Sequence, residues 1–214
     1  MKKEKNSFIG AGFLLAFVLW TVLVRCVDVQ TIGPQGSSVG FASVNRFVQA
    51  LTGVHFSLYT LTDWLSVVPV CFAMGFALLG LWQWIRRKHL LKVDRSLLTL
   101  GGVYLIVAVV YGFFEVVAIN YRPVLIDGIL EASYPSSTTV LSLCVMLTAA
   151  TQLDIRIKDA TWRRCAVLAV RAFAVFMVMA RLISGVHWFS DIVGGALLSG
   201  GLVMLYYALH RIRE

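Results

Sequence analysis

Two arginines and a histidine–aspartate pair in the second half of the chain could do chemistry. Arg122 and Arg181 carry planar guanidinium groups, whose paired N–H donors fit the oxygens of a phosphate. His187 and Asp191 are four residues apart, so one helical turn could bring them together. Asp191 could then bond one ring nitrogen and leave the other unprotonated, as a nucleophile or base. These residue types predict a site that handles phosphate.

A group of hydroxyl side chains precedes the fourth apolar segment of the chain. Ser136, Ser137 and Thr138 would lie at a helix N-terminus, where free backbone N–H groups favour anions. Simpler explanations exist, because Ser and Thr are ordinary helix caps. A histidine beside Trp188 is also more often an interfacial residue than a catalyst. The combination of these residues on one face favours the functional interpretation.

Six apolar segments must position these residues. Of the 214 residues, 59% are hydrophobic and 14% are charged, whereas a soluble domain is about half apolar and about a quarter charged. Each segment is near the roughly 20 residues that a helix needs to cross a bilayer, and none alternates as barrel strands do. We therefore predict an all-α, polytopic bundle of six transmembrane helices, formed as a single domain over residues 1–214. The segments cover roughly residues 7–27, 63–85, 97–120, 135–152, 165–184 and 190–209.

The basic residues are unevenly distributed between the connections. Of the 19 Lys and Arg residues, 14 lie on one predicted side, namely Lys2, Lys3, Lys5, Arg86, Arg87, Lys88, Lys92, Arg95, Arg156, Lys158, Arg163, Arg164, Arg211 and Arg213. Cytoplasmic loops are enriched in Lys and Arg. We therefore predict that both termini are cytoplasmic and that the phosphate site faces the extracytoplasmic side of the cell membrane. This topology explains the net charge of +8 without nucleic acid.

Three further patterns concern the ends and connections of these segments. A basic start followed by about 20 apolar residues predicts a retained first helix rather than a removed signal peptide. Within the long outer connection, about 28–62, the stretch from Phe41 to Leu51 has helical apolar spacing and is either an interfacial helix or a capping loop. Small residues four apart in the last segment predict close helix packing within the chain, with a homodimer contact as the alternative. They are Gly195 with Ser199 and Ala196 with Gly200.

The order of these residues resembles the membrane-bound type 2 phosphatidic acid phosphatase superfamily, whose members have six helices and three signatures on one membrane face. The third signature reads Arg181-Leu-Ile-Ser-Gly-Val-His187-Trp-Phe-Ser-Asp191 here and matches at its key positions. The match in order and topology covers roughly residues 60–210. The resemblance implies that His187 forms a phosphohistidine intermediate, that Asp191 orients it, and that Arg122 and Arg181 hold the phosphate. It implies a lipid phosphate substrate among membrane lipids and no metal or other cofactor.

The other two signatures depart from the pattern of that superfamily. The first normally has a lysine seven residues before the arginine of an Arg-Pro pair, and here Glu115 stands at the lysine position before Arg122. On one helix this spacing is two turns, about 10 Å, and a carboxylate there weakens phosphate affinity unless it is paired or protonated. The second normally ends in a histidine that protonates the leaving oxygen, and here Thr138 stands there. General acid catalysis is typically worth about 10²–10⁴-fold.

These departures leave three hypotheses. An enzyme that keeps the His187 nucleophile but lacks an acid would favour pyrophosphate-linked lipids, because a leaving phosphate needs no proton. A catalytically impaired relative would bind phospholipid or a partner protein through the same pocket. A small transporter rests only on the topology and on Glu115 and Arg171 within the apolar segments, and Arg171 could snorkel to the cytoplasmic surface. The intact His187–Asp191 pair favours the enzyme.

Overall fold

The described residues form eight α-helices and no strand. The computed structural model describes the backbone of residues 2–210 and the side chains of residues 4–209. The side chains of Lys2 and Lys3, and the whole of Arg211 and Arg213, which entered the charge argument, therefore lie outside the described part. The helices are α1 Lys2–Cys26, α2 Ala42–Thr52, α3 Phe56–Leu65, α4 Val67–Arg87, α5 Arg95–Val116, α6 Ser137–Arg156, α7 Ala160–Ile183 and α8 Phe189–His210.

Six helical stretches are long and apolar enough to cross a membrane. They are Glu4–Cys26, Phe56–Arg87, Arg95–Val116, Ser137–Arg156, Ala160–Ile183 and Phe189–Leu209. The predicted all-α architecture with six membrane spans is therefore confirmed. Two of the spans, formed by α6 and α8, are more than half buried within the protein, whereas the other four are less than a third buried. The centre of the bundle is thus α6 and α8, and the remaining spans surround them.

The second span begins earlier than the sequence predicted and is broken near its start. It starts at Phe56 rather than at residue 63 and consists of α3 and α4, which are separated at Ser66. Pro69 explains the break, because a proline ring clashes with the carbonyl four residues earlier, here that of Leu65. The predicted boundary of this span fell between the polar residues Thr62 and Asp63. Both contact an arginine of α7, so their polarity belongs to the site.

The third span ends at Val116 rather than at residue 120. The connection that follows folds back on itself, because the Arg122 N–H donates to the Glu131 carbonyl and the Ser133 N–H donates to the Asn120 carbonyl. Glu115 therefore lies in the last turn of α5, while Arg122 lies in the connection. The expectation that Glu115 lies two turns deeper along the helix that carries Arg122 is wrong, because that helix has already ended.

Small residues of α8 allow two neighbouring helices to approach closely. A Cβ added to Gly201 would lie 2.5 Å from a side-chain carbon of Leu14 in α1, and one added to Gly195 would lie 3.1 Å from the Thr139 side chain in α6. The small residues of α8 therefore serve packing within the chain, as the sequence favoured. The N-terminal part of α1 packs on the C-terminal part of α8, since Gly10 approaches Gly201. These two ends of the chain lie far from the start of α8.

The connection between α1 and α3 is fastened to the start of α8 by a buried asparagine. The stretch that the sequence predicted to be either helical or a capping loop forms the helix α2. Asn45 of this helix is 1% exposed. Asn45 donates to the Gly40 carbonyl at 2.8 Å and to the Ser190 hydroxyl at 2.9 Å, and it accepts from the Ser190 N–H at 3.0 Å. The opposite face of α2 exposes Val44, Phe47 and Leu51. This connection thus covers the end of the bundle where His187 and Asp191 lie.

Candidate active site

His187 lies in the short turn between α7 and α8, and only 5% of it is exposed. Its Nε2 is 3.1 Å from Nη1 of Arg122, and its Nδ1 is 3.2 Å from the Ser133 carbonyl oxygen. A guanidinium group can only donate and a carbonyl can only accept. The proton must therefore be on Nδ1, and the lone pair of Nε2 points towards Arg122. In this tautomer Nε2 is the ring nitrogen with a free lone pair, so it is the one that could act as a nucleophile.

The pKa of His187 is held well below its ordinary value of 6.5 by its surroundings. Burial is the main cause, because it disfavours the charged imidazolium, and the positive charges of Arg122 and Arg181 act in the same direction. The imidazole therefore stays neutral as the pH falls through the range in which an exposed histidine gains a proton. A neutral ring is the form that can attack phosphorus.

This electrostatic arrangement predicts the position of the acid limb in the pH profile of kcat/KM. We expect the histidine-dependent limb of the native protein to lie below pH 6.5. In Arg122→Gln, one neighbouring positive charge is lost, so the pKa of His187 should rise and the limb should move to higher pH, whatever the absolute rate. Profiles of both proteins on the same substrate make the comparison, since ionisation of the substrate is common to them. An unchanged limb in Arg122→Gln would contradict the electrostatic explanation.

Asp191 is fully buried near the start of α8. Its carboxylate accepts from the Asn120 amide at 3.1 Å and from the Trp188 N–H at 3.0 Å. Its Oδ2 is 3.8 Å from Nδ1 of His187, which is an electrostatic contact and not a hydrogen bond. The direct bond expected from the four-residue spacing is absent because α8 begins only at Phe189, so His187 lies before the helix. Asp191 holds the start of α8 and its flanking turn.

Arg181 is anchored at the end of α7 by three residues of α3. Its Nη1 donates to the Thr62 hydroxyl at 2.9 Å, its Nη2 is 3.6 Å from an oxygen of Asp63, and its guanidinium carbon lies 4.6 Å from the centre of the Tyr59 ring. Although Arg181 is only 2% exposed, its Nε has no hydrogen-bond partner within the described part of the chain. A buried charged donor without a partner is costly. An anionic ligand would supply that partner.

Arg122 approaches the same tyrosine from the connection between α5 and α6. Its guanidinium carbon lies 5.8 Å from the Tyr59 ring centre, and its Nε is 2.8 Å from a carboxylate oxygen of Glu131. Two cationic groups thus share one aromatic ring, where each gains a cation–π contact. The structure therefore brings together the two arginines that the sequence singled out, and His187 lies beside one of them.

The hydroxyl residues before α6 divide into a cap and a cavity wall. The Ser136 side chain accepts from the Thr139 N–H, and its own N–H donates to the Asp191 carbonyl, so Ser136 is a buried helix cap. Ser137 and Thr138 instead line the cavities beside Arg122. Of the three hydroxyl residues predicted to bind phosphate, Ser137 and Thr138 therefore face a space where a ligand could lie.

Two adjoining cavities meet at Arg122. One is a polar vestibule of about 570 Å³, whose wall includes Arg181, Glu131 and Asp63. The other is a largely apolar chamber of about 440 Å³ that reaches into the membrane-spanning part of the bundle. Its wall includes His187 and the apolar side chains Ala73, Val107, Val110, Leu141, Val145 and Leu198. A ligand with a charged head and a hydrocarbon tail fits this pair of spaces.

Several residues of the site were not foreseen from the sequence. Tyr59, Thr62 and Asp63 lie more than 110 positions before Arg181, and Glu131 and Ser133 lie in a connection without regular structure. For these residues the sequence offers one indication of a site, namely the aromatic and polar side chains at 59–63 within an otherwise apolar stretch. No group of three His, Cys, Asp or Glu side chains in the described residues is arranged to hold a metal ion.

The turn that carries His187 depends on one glycine. Gly185 has φ +67°, and a Cβ added there would lie 1.9 Å from the Gly53 carbonyl oxygen. We expect Gly185→Ala to cost about 2 kcal/mol or more, since both strain and a backbone clash oppose it. Thermal unfolding in detergent should show a melting temperature about 4–8 °C lower. Gly112→Ala in α5 is the control, because a Cβ there meets nothing within 4 Å, and an equal loss in both variants would contradict the prediction.

Comparisons with known proteins found similarity to a family model and to a solved structure. Residues 113–214 match the model of the PAP2 superfamily, and this range includes Glu115, Arg122, Arg181, His187 and Asp191. The fold is similar to that of the crystal structure of a transmembrane PAP2-type phosphatidylglycerolphosphate phosphatase from Bacillus subtilis. That similarity has a TM-score of 0.55 at 17% identity and covers 96% of this chain and 100% of the other. No curated protein sequence matches the chain. The resemblance drawn from the signature Arg181–His187–Asp191 is thereby confirmed, and the chain is a multi-pass membrane protein with the PAP2 phosphatase fold.

Proposed function

We propose that this chain is an integral membrane lipid phosphatase, which hydrolyses a phosphorylated or pyrophosphorylated lipid through a phosphohistidine intermediate. The observation that carries the proposal is the position of His187. Its unprotonated Nε2 lies beside Arg122, where a polar vestibule with a second arginine meets an apolar chamber. The nucleophile, the anion-binding groups and the space for a lipid tail therefore adjoin one another.

The first step transfers the phosphoryl group to the histidine. The phosphate enters between Arg181 and Arg122, and the Arg122 Nη1 turns from Nε2 to a phosphate oxygen, which frees the lone pair. Nε2 then attacks phosphorus, the N–P bond forms, and the P–O bond to the lipid breaks with its electron pair left on the lipid oxygen. The Ser133 carbonyl oxygen accepts a hydrogen bond from Nδ1–H and so stabilises the positive charge that develops on the ring.

The second step releases inorganic phosphate. A water molecule attacks phosphorus of the phosphohistidine, the N–P bond breaks, and its electron pair returns to Nε2. The proton that the water loses is taken up by a base or by the departing phosphate, so the neutral imidazole is restored. Arg122 and Arg181 can stabilise the charge on the equatorial oxygens in both steps, because both steps pass through the same arrangement at phosphorus.

The orientation of the protein follows from the charge distribution described above. We propose that both termini are cytoplasmic and that the vestibule opens on the extracytoplasmic side of the plasma membrane. The helix packing supports a site and termini at opposite ends of the bundle. The start of α1 packs beside the C-terminal part of α8, whereas His187 lies just before the N-terminus of α8. A substrate in the outer leaflet would then reach the site without crossing the membrane.

One observation supports a second candidate function, that of a catalytically impaired relative which binds phospholipid or a partner protein. Arg122 already contacts both His187 and Glu131, so a ligand must compete with two existing contacts. Thr138 also offers no group that donates a proton readily near neutral pH. Such a protein would hold a phosphorylated headgroup without turning it over.

The experiment that tests the proposal is phosphate release by the purified, detergent-solubilised protein. The panel comprises phosphatidic acid, phosphatidylglycerol phosphate and a polyprenyl diphosphate, with His187→Ala assayed beside the native protein. Release that the variant loses supports the phosphatase. No release from any lipid, by protein with a cooperative thermal transition, would favour the binding function, and lipid-dependent stabilisation would then identify the headgroup.

A further inference from the structure

The mechanism proposed above for a lipid monoester contains no proton donor for the leaving group. When the P–O bond breaks, the lipid oxygen departs as an alkoxide, which is a poor leaving group unless it gains a proton in the transition state. Thr138 lines both cavities, but a hydroxyl group donates poorly near neutral pH. A diphosphate substrate is different, because its leaving group is itself a phosphate. The source of this proton determines which substrates the site can use.

The titratable and charged side chains around the two cavities can be sorted by their partners. Two of the carboxylates are held by arginines, since Asp63 pairs with Arg181 at 3.6 Å and Glu131 pairs with Arg122 at 2.8 Å. Glu115 has no ion pair within the described residues. The complete set that faces the cavities is Asp63, Tyr104, Tyr111, Glu115, Tyr121, Arg122, Glu131, Tyr134, Arg181 and His187. Among the carboxylates of this set, Glu115 is therefore the one that is not paired with a guanidinium.

Glu115 also lies in the right place. It is an exposed residue in the last turn of α5, and it lines both the polar vestibule and the apolar chamber, as Arg122 and Thr138 do. In an in-line displacement the leaving oxygen is opposite Nε2 of His187 and joins the phosphate to the lipid tail. Glu115 borders both the vestibule that contains Arg181 and the chamber that fits a tail, so its carboxyl group lines the space where the head and the tail of a lipid would join.

Tyr111, one turn earlier in α5, interacts with the carboxyl group of Glu115 and lines the same two cavities. A phenol can donate a hydrogen bond to a carboxylate and accept one from a carboxylic acid. This neighbour can therefore hold the Glu115 side chain in place both before and after it gives up a proton.

We propose, resting on the phosphatase function set out above, that Glu115 is the general acid of monoester cleavage. As the N–P bond to His187 forms and the P–O bond breaks, the Glu115 carboxyl gives its proton to the lipid oxygen, and a neutral lipid alcohol leaves. In the second step the Glu115 carboxylate takes a proton from the attacking water, which restores the acid. The preference for pyrophosphate-linked lipids, expected from the sequence without an acid, then applies to a protein that lacks Glu115.

The test compares two substrates that differ only in the leaving group, dodecyl phosphate and dodecyl diphosphate. We expect Glu115→Gln to lower phosphate release from the monophosphate by about 10²–10⁴-fold, and release from the diphosphate by less than about tenfold. Glu115→Asp, which keeps a carboxylic acid, should recover part of the monophosphate activity. Asp154→Asn is the matched control, because Asp154 is an exposed carboxylate in the last turn of α6, at the opposite end of that helix from the site.

The outcomes separate this proposal from the phosphatase function on which it rests. Activity on the diphosphate reports that the Glu115→Gln protein is folded and that His187 works. If the variant loses activity on both substrates equally, or on neither, Glu115 is not the acid, and the phosphatase function stands. If the native protein releases no phosphate that depends on His187 from either substrate, the phosphatase function itself fails.

Discussion

His187→Ala is expected to release phosphate at least about 10⁴-fold more slowly than the native protein, because the variant lacks the atom that attacks phosphorus. Within the described part of the chain, Nε2 of His187 is the one ring nitrogen placed against Arg122, and no other histidine lines the two cavities. Loss of a nucleophile removes the covalent route altogether, and only slow attack by water remains. Turnover of phosphatidic acid and of a polyprenyl diphosphate by purified protein measures the effect.

His89→Ala provides the control for this prediction, since His89 is exposed and lies between α4 and α5, away from the site. It should retain native turnover. A phosphoenzyme trapped from radiolabelled substrate should be labile in acid and stable in base, as a phosphoramidate is, and should be absent from His187→Ala. Equal activity of the native protein and His187→Ala would exclude the histidine as nucleophile, and an intermediate of any other lability would point to a different residue.

The membrane architecture could be predicted because it depends on a local property of the sequence. Six continuous apolar runs are enough to identify six spans, and the structure has them. The two ends that differed depend instead on distant contacts. Thr62 and Asp63 lie within the second span because Arg181 of α7 supplies partners for their polar groups. The third span ends at Val116 because the following residues pair with a later part of their own connection.

The sequence predicted those parts of the candidate site that depend on the chemical type of a side chain. Arg122 and His187 were chosen as cation and nucleophile, and the structure places them 3.1 Å apart. The hydrogen bond from the ring to the Ser133 carbonyl was not predictable, because any residue supplies a backbone carbonyl and the sequence carries no signal for it. Spacing alone suggested a bond between His187 and Asp191. That inference assumed a helix that begins before His187, whereas α8 begins at Phe189.

The glutamate at the lysine position of the first signature, Glu115, is interpreted differently from the sequence and from the structure. On the sequence, a carboxylate in place of a lysine weakens the binding of an anion. In the structure, Arg122 and Arg181 are two cationic groups that could bind an anion, and Glu115 lines the apolar chamber without taking part in either ion pair. Loss of a lysine from the first signature and of a histidine from the second would then be linked, because one carboxyl group replaces the missing acid.

Arg181→Lys is expected to lower kcat/KM by about 10²–10³-fold, although the charge is kept. The guanidinium lies over Tyr59, donates to Thr62 and leaves its Nε free of a protein partner. A lysine ammonium has neither the planar shape nor the fork of donors that this place requires. Arg181 is only 2% exposed, so water cannot replace its contacts. The smaller ammonium group of lysine would therefore leave Asp63 and Thr62 without their partner.

Steady-state kinetics on one lipid phosphate measure this effect, and Arg171→Lys in the same helix is the control. Arg171 is exposed and lines neither cavity, so its replacement should leave kcat/KM within about twofold of the native value. If Arg181→Lys also retained native kinetics, Arg122 alone would hold the phosphate, and Arg181 would serve to fasten α3 to α7. A loss of kcat/KM confined to Arg181→Lys, in protein that its melting curve shows to be folded at the assay temperature, would instead show that the buried guanidinium acts on the phosphate.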